Sequence, residues 1–199
     1  EAADRPFYVN LWPDDVHSPF FPPAALRGDG SKRALYEGAL KNMDDQLGPL
    51  FDYVRNSPRL RDNTLILVLG DNGPEGGAGS AGPFRGSKGQ HYEGGIREPL
   101  VAWGPGLIPP SRRGAEDRET VLSSVDLVAS LYRLAGVTAP ENPRPDGVDR
   151  SGALLGMPAG ERPQPLFWKR PPDRPGPPRR PLPDLAVRDG RWKLLMQDD

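Results

Sequence analysis

The chain has 199 residues, 36% of them hydrophobic, and its 26 Lys and Arg offset 27 Asp and Glu to leave a formal net charge of −1. That length and apolar share suit one domain with a core of its own, and balanced charge without a basic, aromatic-rich run argues against nucleic acid as a partner. No apolar stretch approaches the ~20 residues that span a bilayer, so no membrane is expected; zero cysteines exclude disulfides, thiolate metal sites and a cysteine nucleophile, and two histidines leave little material for zinc.

In chain order, Pro6-Phe7-Tyr8-Val9-Asn10-Leu11-Trp12 reads as a buried strand, closed by Pro13 and followed by a loop with Asp14, Asp15 and His17. The start, Glu1-Ala2-Ala3-Asp4-Arg5, lacks the basic and apolar regions of a signal peptide. From Ser31 to about Asn56, Leu35, Ala39, Met43, Leu47, Leu50, Phe51 and Val54 recur at spacings of three and four, which predicts an amphipathic helix. Thr64–Leu69 is apolar on both faces, as a central strand of a covered sheet is, and runs into Gly70-Asp71-Asn72-Gly73. Residues 73–95 are dense in glycine and read as a long loop carrying Lys88, His91 and Glu93. A third strand is expected at Pro99–Trp103. A second helix is expected from Ser123 to Ala135, with Val125, Leu127, Val128, Leu131 and Leu134 inward and Gly136 as its stop. This alternation predicts an α/β fold with a largely parallel sheet flanked by helices. Residues 158–183 shift to proline and arginine and are expected to run extended over the surface. Asp189-Gly190 between two apolar runs predicts a β-hairpin over 185–195.

Asp71 and Asn72 offer oxygen ligands at a strand's C-terminal end, the edge where open α/β sheets bind ligands, and suit a hard cation such as calcium or magnesium. Two ligands are too few for such an ion, and Asp-Asn-Gly is also an ordinary turn, which spacing alone favours. Lys88, set among Gly86, Ser87 and Gly89, can bring a compact positive charge to an anion, but the order does not match a kinase-type phosphate loop; a solvated lysine is the simpler reading. His17, in Val16-His17-Ser18-Pro19, can donate a proton to a leaving oxygen or hydrogen-bond an anion, although a lone loop histidine is usually a surface residue. His91 has weaker context. Glu93 with Arg97, and Asp44 with Asp45, read as structural charges on solvated faces.

The run Leu65–Glu75, with Gly70-Asp71-Asn72-Gly73-Pro74, resembles the strand and metal-binding turn of type I, formylglycine-dependent sulfatases of the arylsulfatase kind. Pro83-Phe84-Arg85-Gly86-Ser87-Lys88 followed by Tyr92-Glu93-Gly94-Gly95-Ile96-Arg97-Glu98-Pro99 resembles their second signature, and that order and spacing are specific. Val16-His17-Ser18-Pro19, Ser124-Val125-Asp126-Leu127, Asp146-Gly147-Val148-Asp149 and the terminal Asp189–Leu194 run also resemble family segments.

The resemblance implies an alkaline-phosphatase-like fold, present as its C-terminal half over 1–157, with 158–183 a surface connection and 184–199 beginning a small β subdomain. It implies that Asp71 and Asn72 ligate Ca2+ or Mg2+, that Lys88 binds sulfate, and that His17 contacts the sulfate or protonates the leaving alcohol. The substrate class is a sulfate ester, with sulfated carbohydrates among the candidates; the location implied is periplasmic or secreted, and oligomeric state is left open. The family's nucleophile is a formylglycine made from Cys or Ser in Cys/Ser-x-Pro/Ala-x-Arg, a motif absent from this sequence, so the chain by itself is expected to be inactive. The alternatives are a related metal-dependent phosphodiesterase or phosphonate hydrolase, and a non-catalytic binding module in which the proline-rich stretch docks a partner.

Overall fold

The computed structural model describes residues 5–142, 145–170 and 182–197. Contacts divide them into two compact units, the first built on residues through Thr64 and on Gly70–Pro99, the second on Leu65–Leu69 and the residues from Leu100 onward.

The first unit is organised by helix α1 (Lys32–Asn56), which starts where the sequence predicts. Ser31 caps it by accepting from the Ala34 amide at 3.3 Å, and Asp29 Oδ1 accepts from the Ser31 amide at 2.9 Å. Those contacts with Ser31 hold the Asp29 carboxyl below its ordinary range. Phe20 and Ala78 bury against Ala39 of α1, with Leu35 and Tyr36 packed around them, and the Phe20 and Tyr36 rings meet edge to face at 5.5 Å. Two separate loops are thereby fastened to the same helix face. The stretch expected as loop from 73 to 95 also contains the start of a one-turn helix, α2 (Glu93–Ile96).

Residues 6–12 do not form the expected buried strand. Phe7, Tyr8, Val9, Leu11 and Trp12 are exposed, from 55% at Leu11 to 81% at Trp12, and no strand among the described residues pairs with them. A β-branched and aromatic run becomes a strand only when a neighbour takes its backbone hydrogen bonds.

In the second unit, β1 (Ile66–Leu69) pairs with β2 (Leu100–Trp103) in antiparallel register from Ile66↔Trp103 to Leu69↔Leu100. The expected parallel pairing is therefore not seen: both sheets among the described residues are antiparallel. The register gives the reason, since the chain between Leu69 and Leu100 returns to the point where it left, whereas parallel neighbours need a crossover to the far end. Val68 and Val101 are 50% and 60% exposed, so among the described residues the two-faced apolar pattern of these strands is not covered.

Helix α3 (Ser124–Leu134) opens with a capping box between Ser123 and Asp126. Its fully buried positions are polar, Asp126 and Ser130; of the residues expected inward, Leu127, Leu131 and Leu134 are half-buried, while Val125 and Val128 are 42% and 50% exposed. Asp126 faces inward because it is fully engaged. It accepts from the Val148 and Ser123 amides at 2.9 and 3.0 Å and from Arg162 at 2.8 and 3.3 Å, and Ser130 Oγ accepts from the Arg150 amide at 2.8 Å. Burial opposes its charge, but Arg162 and the two amides outweigh it and hold the carboxyl below the usual aspartate range. The segment from 146 to 150 is thus bolted to α3, and it leads into α4 (Ser151–Leu154), whose Leu154 is fully buried.

The unit ends in a three-stranded antiparallel sheet, β3 (Leu166–Lys169), β4 (Leu185–Asp189) and β5 (Trp192–Met196). The expected hairpin is β4–β5; because Asp189 pairs with Trp192, its turn residues are Gly190, at φ +51°, and Arg191. β3 lies inside the stretch expected to lack regular structure: Leu166-Phe167-Trp168-Lys169 is a short apolar run among prolines, and pairing with β4 makes it a strand. The rest of that expectation, over 171–181, falls outside the described residues. No helix among the described residues is long and apolar enough to cross a membrane.

Candidate active site

Asp71, Asn72 and Lys88 are brought into one backbone framework within the first unit. The Gly73 amide donates to Gly95 O at 3.0 Å and the Lys88 amide to Pro74 O at 2.9 Å, so the Asp71-Asn72 turn and the Lys88 loop grip each other on both sides. The Gly94 amide donates to Arg85 O at 2.8 Å, closing the loop on itself. Glycine is required for this docking. A Cβ on Gly73 would lie 2.0 Å from Gly94 O, and one on Gly95 would lie 2.0 Å from Gln90 O. The glycines that make residues 73–95 look structureless are what let three backbone segments pack at hydrogen-bond distance. Arg85 covers the Tyr92 ring at 4.0 Å and Arg97 the Phe84 ring at 4.8 Å, bracing the loop from outside.

His17 arrives from a different loop. Its Nδ1 lies 2.9 Å from Ser18 O, and the side chain is exposed. Phe20, three residues on, anchors this loop in the cluster that also holds Ala78 from the loop after the Asp71 turn. Between the two anchors sits Glu75, paired with Lys32 at 2.7 Å; the Lys32 ammonium also donates to Gly76 O at 3.0 Å, and Arg33 donates to Ala78 O at 3.0 Å. The Lys32 contact holds the Glu75 carboxyl below its usual range despite partial burial, with Ser18 and the charge of Lys88 assisting. The first turn of α1 is therefore the clamp for the site loops. Sequence reading missed Lys32 and Glu75 as a pair because a contact between residues so far apart in sequence leaves no local pattern.

Asp71 and Lys88 are exposed and Asn72 is half-buried. Asn72 donates its amide to Gly73 O at 3.0 Å, which leaves the acceptor oxygen as the half suited to a cation. Glu98 lies against Gly70, where a Cβ would come within 2.6 Å of its Oε2; burial, and then the negative charge of Asp71, push its carboxyl above the ordinary range. Oxygen donors beside uncompensated negative charge fit a hard divalent cation. The set is partial: among the described residues no group of three or more His, Cys, Asp or Glu could hold a metal.

The remaining sequence candidates separate as follows. Glu93 and Arg97 form a 3.7 Å pair on α2, and Asp45 pairs with Lys41 on α1, as solvated structural charges do. His91, read as a loop residue of no particular context, is buried at 7% exposure.

Comparison with known proteins gives the family. The family model described as Sulfatase matches residues 1–137. N-acetylgalactosamine-6-sulfatase from Canis lupus familiaris is 34% identical over 176 residues, covering 85% of this chain and 32% of that protein. Arylsulfatase A from Homo sapiens is 33% identical over 197 residues, covering 97% and 36%. Among solved structures, Ps i-CgsB in complex with k-i-k-neocarrahexaose superposes with a TM-score of 0.70 at 25% identity, over 90% of this chain and 39% of that one. The PsFucS1 sulfatase from Pseudoalteromonas sp. gives 0.65 at 27%, over 90% and 34%. The chain belongs to the sulfatase family, and its fold is part of the alkaline-phosphatase-like fold of these neighbours. It spans about a third of the length of the curated relatives it matches.

Proposed function

We propose that the intact protein is a sulfuric ester hydrolase acting on sulfated carbohydrates, and that this chain carries one side of its active site. The observation that carries the reading is the paired backbone grip, Gly73 to Gly95 and Lys88 to Pro74, which fixes two cation ligands and an anion-binding lysine to one scaffold. In this reading Asp71 and Asn72 hold a divalent cation, calcium in preference to magnesium because the donors lie on a turn and neutral and charged oxygens mix. When bound, the cation neutralises charge on the sulfuryl oxygens. Lys88 pairs with the same oxygens, and its flanking glycines let the ester approach the backbone. His17 stands on a loop of its own and supplies the proton to the departing alcohol. The nucleophile, formylglycine in this family, and the remaining ligands belong to sequence outside this chain, so the chain alone is inactive.

In the intact protein residues 1–157 lie in the catalytic α/β domain, 158–183 connect, and 184–199 begin a terminal β subdomain; its location is outside the cytoplasm. The carbohydrate reading is supported by the names of the relatives, which include an N-acetylgalactosamine-6-sulfatase and a protein solved with a neocarrahexaose.

The test is calorimetric titration of calcium and of inorganic sulfate into the chain, beside Asp71→Ala/Asn72→Ala and Lys88→Ala. Calcium binding lost in the double variant and sulfate binding lost in the lysine variant support the reading. A folded chain that binds neither ion overturns the half-site. In the intact enzyme, cleavage of an aryl phosphate diester faster than of the matching aryl sulfate would favour the phosphodiesterase alternative.

A further inference from the structure

His17 lines a cleft of about 300 Å³ that the Lys88 loop does not enter; its walls include Asp14, Asp15, Phe21 and Asn42, all from the first unit. If His17 protonates the leaving alcohol, the group that fills this cleft is the alcohol itself. The inference therefore rests on the hydrolase reading and adds a substrate preference to it.

The volume falls at the low end for ligand pockets and suits one sugar ring rather than a run of them. The lining fits a polyol. Phe21 is 82% exposed and offers an apolar ring to the C–H face of a pyranose, while Asn42 can both donate and accept. Ionised Asp14 and Asp15 are acceptors only, and hydroxyl donors are what they match. The same two charges repel a carboxylate or a second sulfate on that ring. Apart from His17, which gives its proton to the leaving oxygen, the lining holds no cationic side chain to offset them, whereas a different loop carries Lys88 for the one anionic group that must be held.

We propose that Asp14 and Asp15 are specificity-determining residues that make this cleft select an uncharged, hydroxyl-rich sugar ring and reject a uronic acid or a second sulfate at the leaving-group position. The probes are methyl β-galactoside and methyl β-glucuronide, titrated into the chain and followed by NMR at the His17 ring and the Asn42 side-chain amide. The galactoside shifts both signals, and the glucuronide binds about tenfold more weakly, as like charges at close range require. Asp14→Asn/Asp15→Asn, at exposed loop positions, closes that gap by strengthening glucuronide binding alone; Phe21→Ala weakens the galactoside. In the intact enzyme the double variant raises kcat/KM for a uronate sulfate relative to a galactose sulfate.

Equal binding of the two glycosides to the unaltered chain, a gap the double variant leaves untouched, or no galactoside-dependent shift at His17 and Asn42 would overturn the proposal. Its failure is separable from failure of the hydrolase reading. Calcium and sulfate binding without galactoside binding sinks the cleft alone; galactoside binding without either ion sinks the hydrolase reading and leaves only a sugar-binding cleft, without its leaving-group role.

Discussion

The two units handle charge in opposite ways. In the second, Asp126 is fully buried and its carboxylate is satisfied by an arginine and two backbone amides, so the charge is part of the architecture. In the first, Asp71 and Lys88 are exposed at the surface of a loop framework whose own stability comes from backbone-to-backbone hydrogen bonds through glycine. A carboxylate already saturated by protein donors has no capacity for a ligand; one held in place by its backbone alone keeps its lone pairs for a cation. Of Asp71 and Asp126, therefore, only Asp71 keeps capacity for a ligand, and Asp126 explains how residues 146–150 are positioned.

The sharpest way to test that contrast is Asp126→Asn. It leaves Arg162, at 5% side-chain exposure, without its counter-charge, and breaking a buried pair from one side costs about 3–5 kcal/mol. Urea unfolding followed by the fluorescence of Trp168 and Trp192 reads the loss. The pH dependence has a definite sign. The folded carboxyl is depressed, so its contribution is complete above the ordinary aspartate value of about 4 and disappears as pH falls through the lower folded value. The gap between the two proteins therefore narrows below about pH 4. A gap that is small at neutral pH would mean Asp126 is not the hub of that unit.

Much of this contrast was legible beforehand, for physical reasons that differ by element. α1 could be read because its period and its Ser31 cap are local, and the hairpin β4–β5 because turn residues sit between two short apolar runs. Asp71, Asn72 and Lys88 were proposed from a motif, while what joins their loops, the Gly73 and Lys88 amide bonds, is a long-range fact that glycine content only hinted at. Residues 6–12 and the two valines of α3 were misread because apolar periodicity reports what a segment can bury, and nothing among the described residues buries Trp12 or Val128. The antiparallel β1–β2 pair was not anticipated for a related reason: alternation of strand and helix suggests crossovers, and Leu69↔Leu100 shows a return instead, inside a chain whose alkaline-phosphatase-like fold stands.

The second prediction sharpens the site side of the comparison. Gly95→Ala forces a methyl to within 2.0 Å of Gln90 O, which must move, and such overpacking costs about 1–3 kcal/mol. Because the same segment accepts from Gly73, calcium and sulfate binding should fall together, more than global stability does. Hydrogen exchange at the Gly73 and Lys88 amides locates the damage. Faster exchange at both, with α1 amides unchanged, is expected; protection retained at Gly73 would show that the turn does not depend on the glycine run.

The smallest expected effect is a gain. Gly48 also lies in the first unit, inside α1 and one residue before Pro49, and beyond its chain neighbours and its own helix backbone a Cβ there meets nothing within 4 Å. With no close approach from another segment to protect, its glycine serves no docking role; alanine should gain about 0.5–1 kcal/mol through the lower entropy of its unfolded state, and the Pro49 ring, which crowds a Cβ on a helical residue before it, takes part of that gain back. Calcium and sulfate binding should be unchanged, since the clamp residues Lys32 and Arg33 sit at the other end of the helix. Thermal unfolding beside Gly95→Ala gives the comparison directly. Opposite signs for the two substitutions would separate glycine that builds the site from glycine that merely occupies a helix, and a loss at Gly48 would instead show that crowding by the Pro49 ring outweighs the entropy gain.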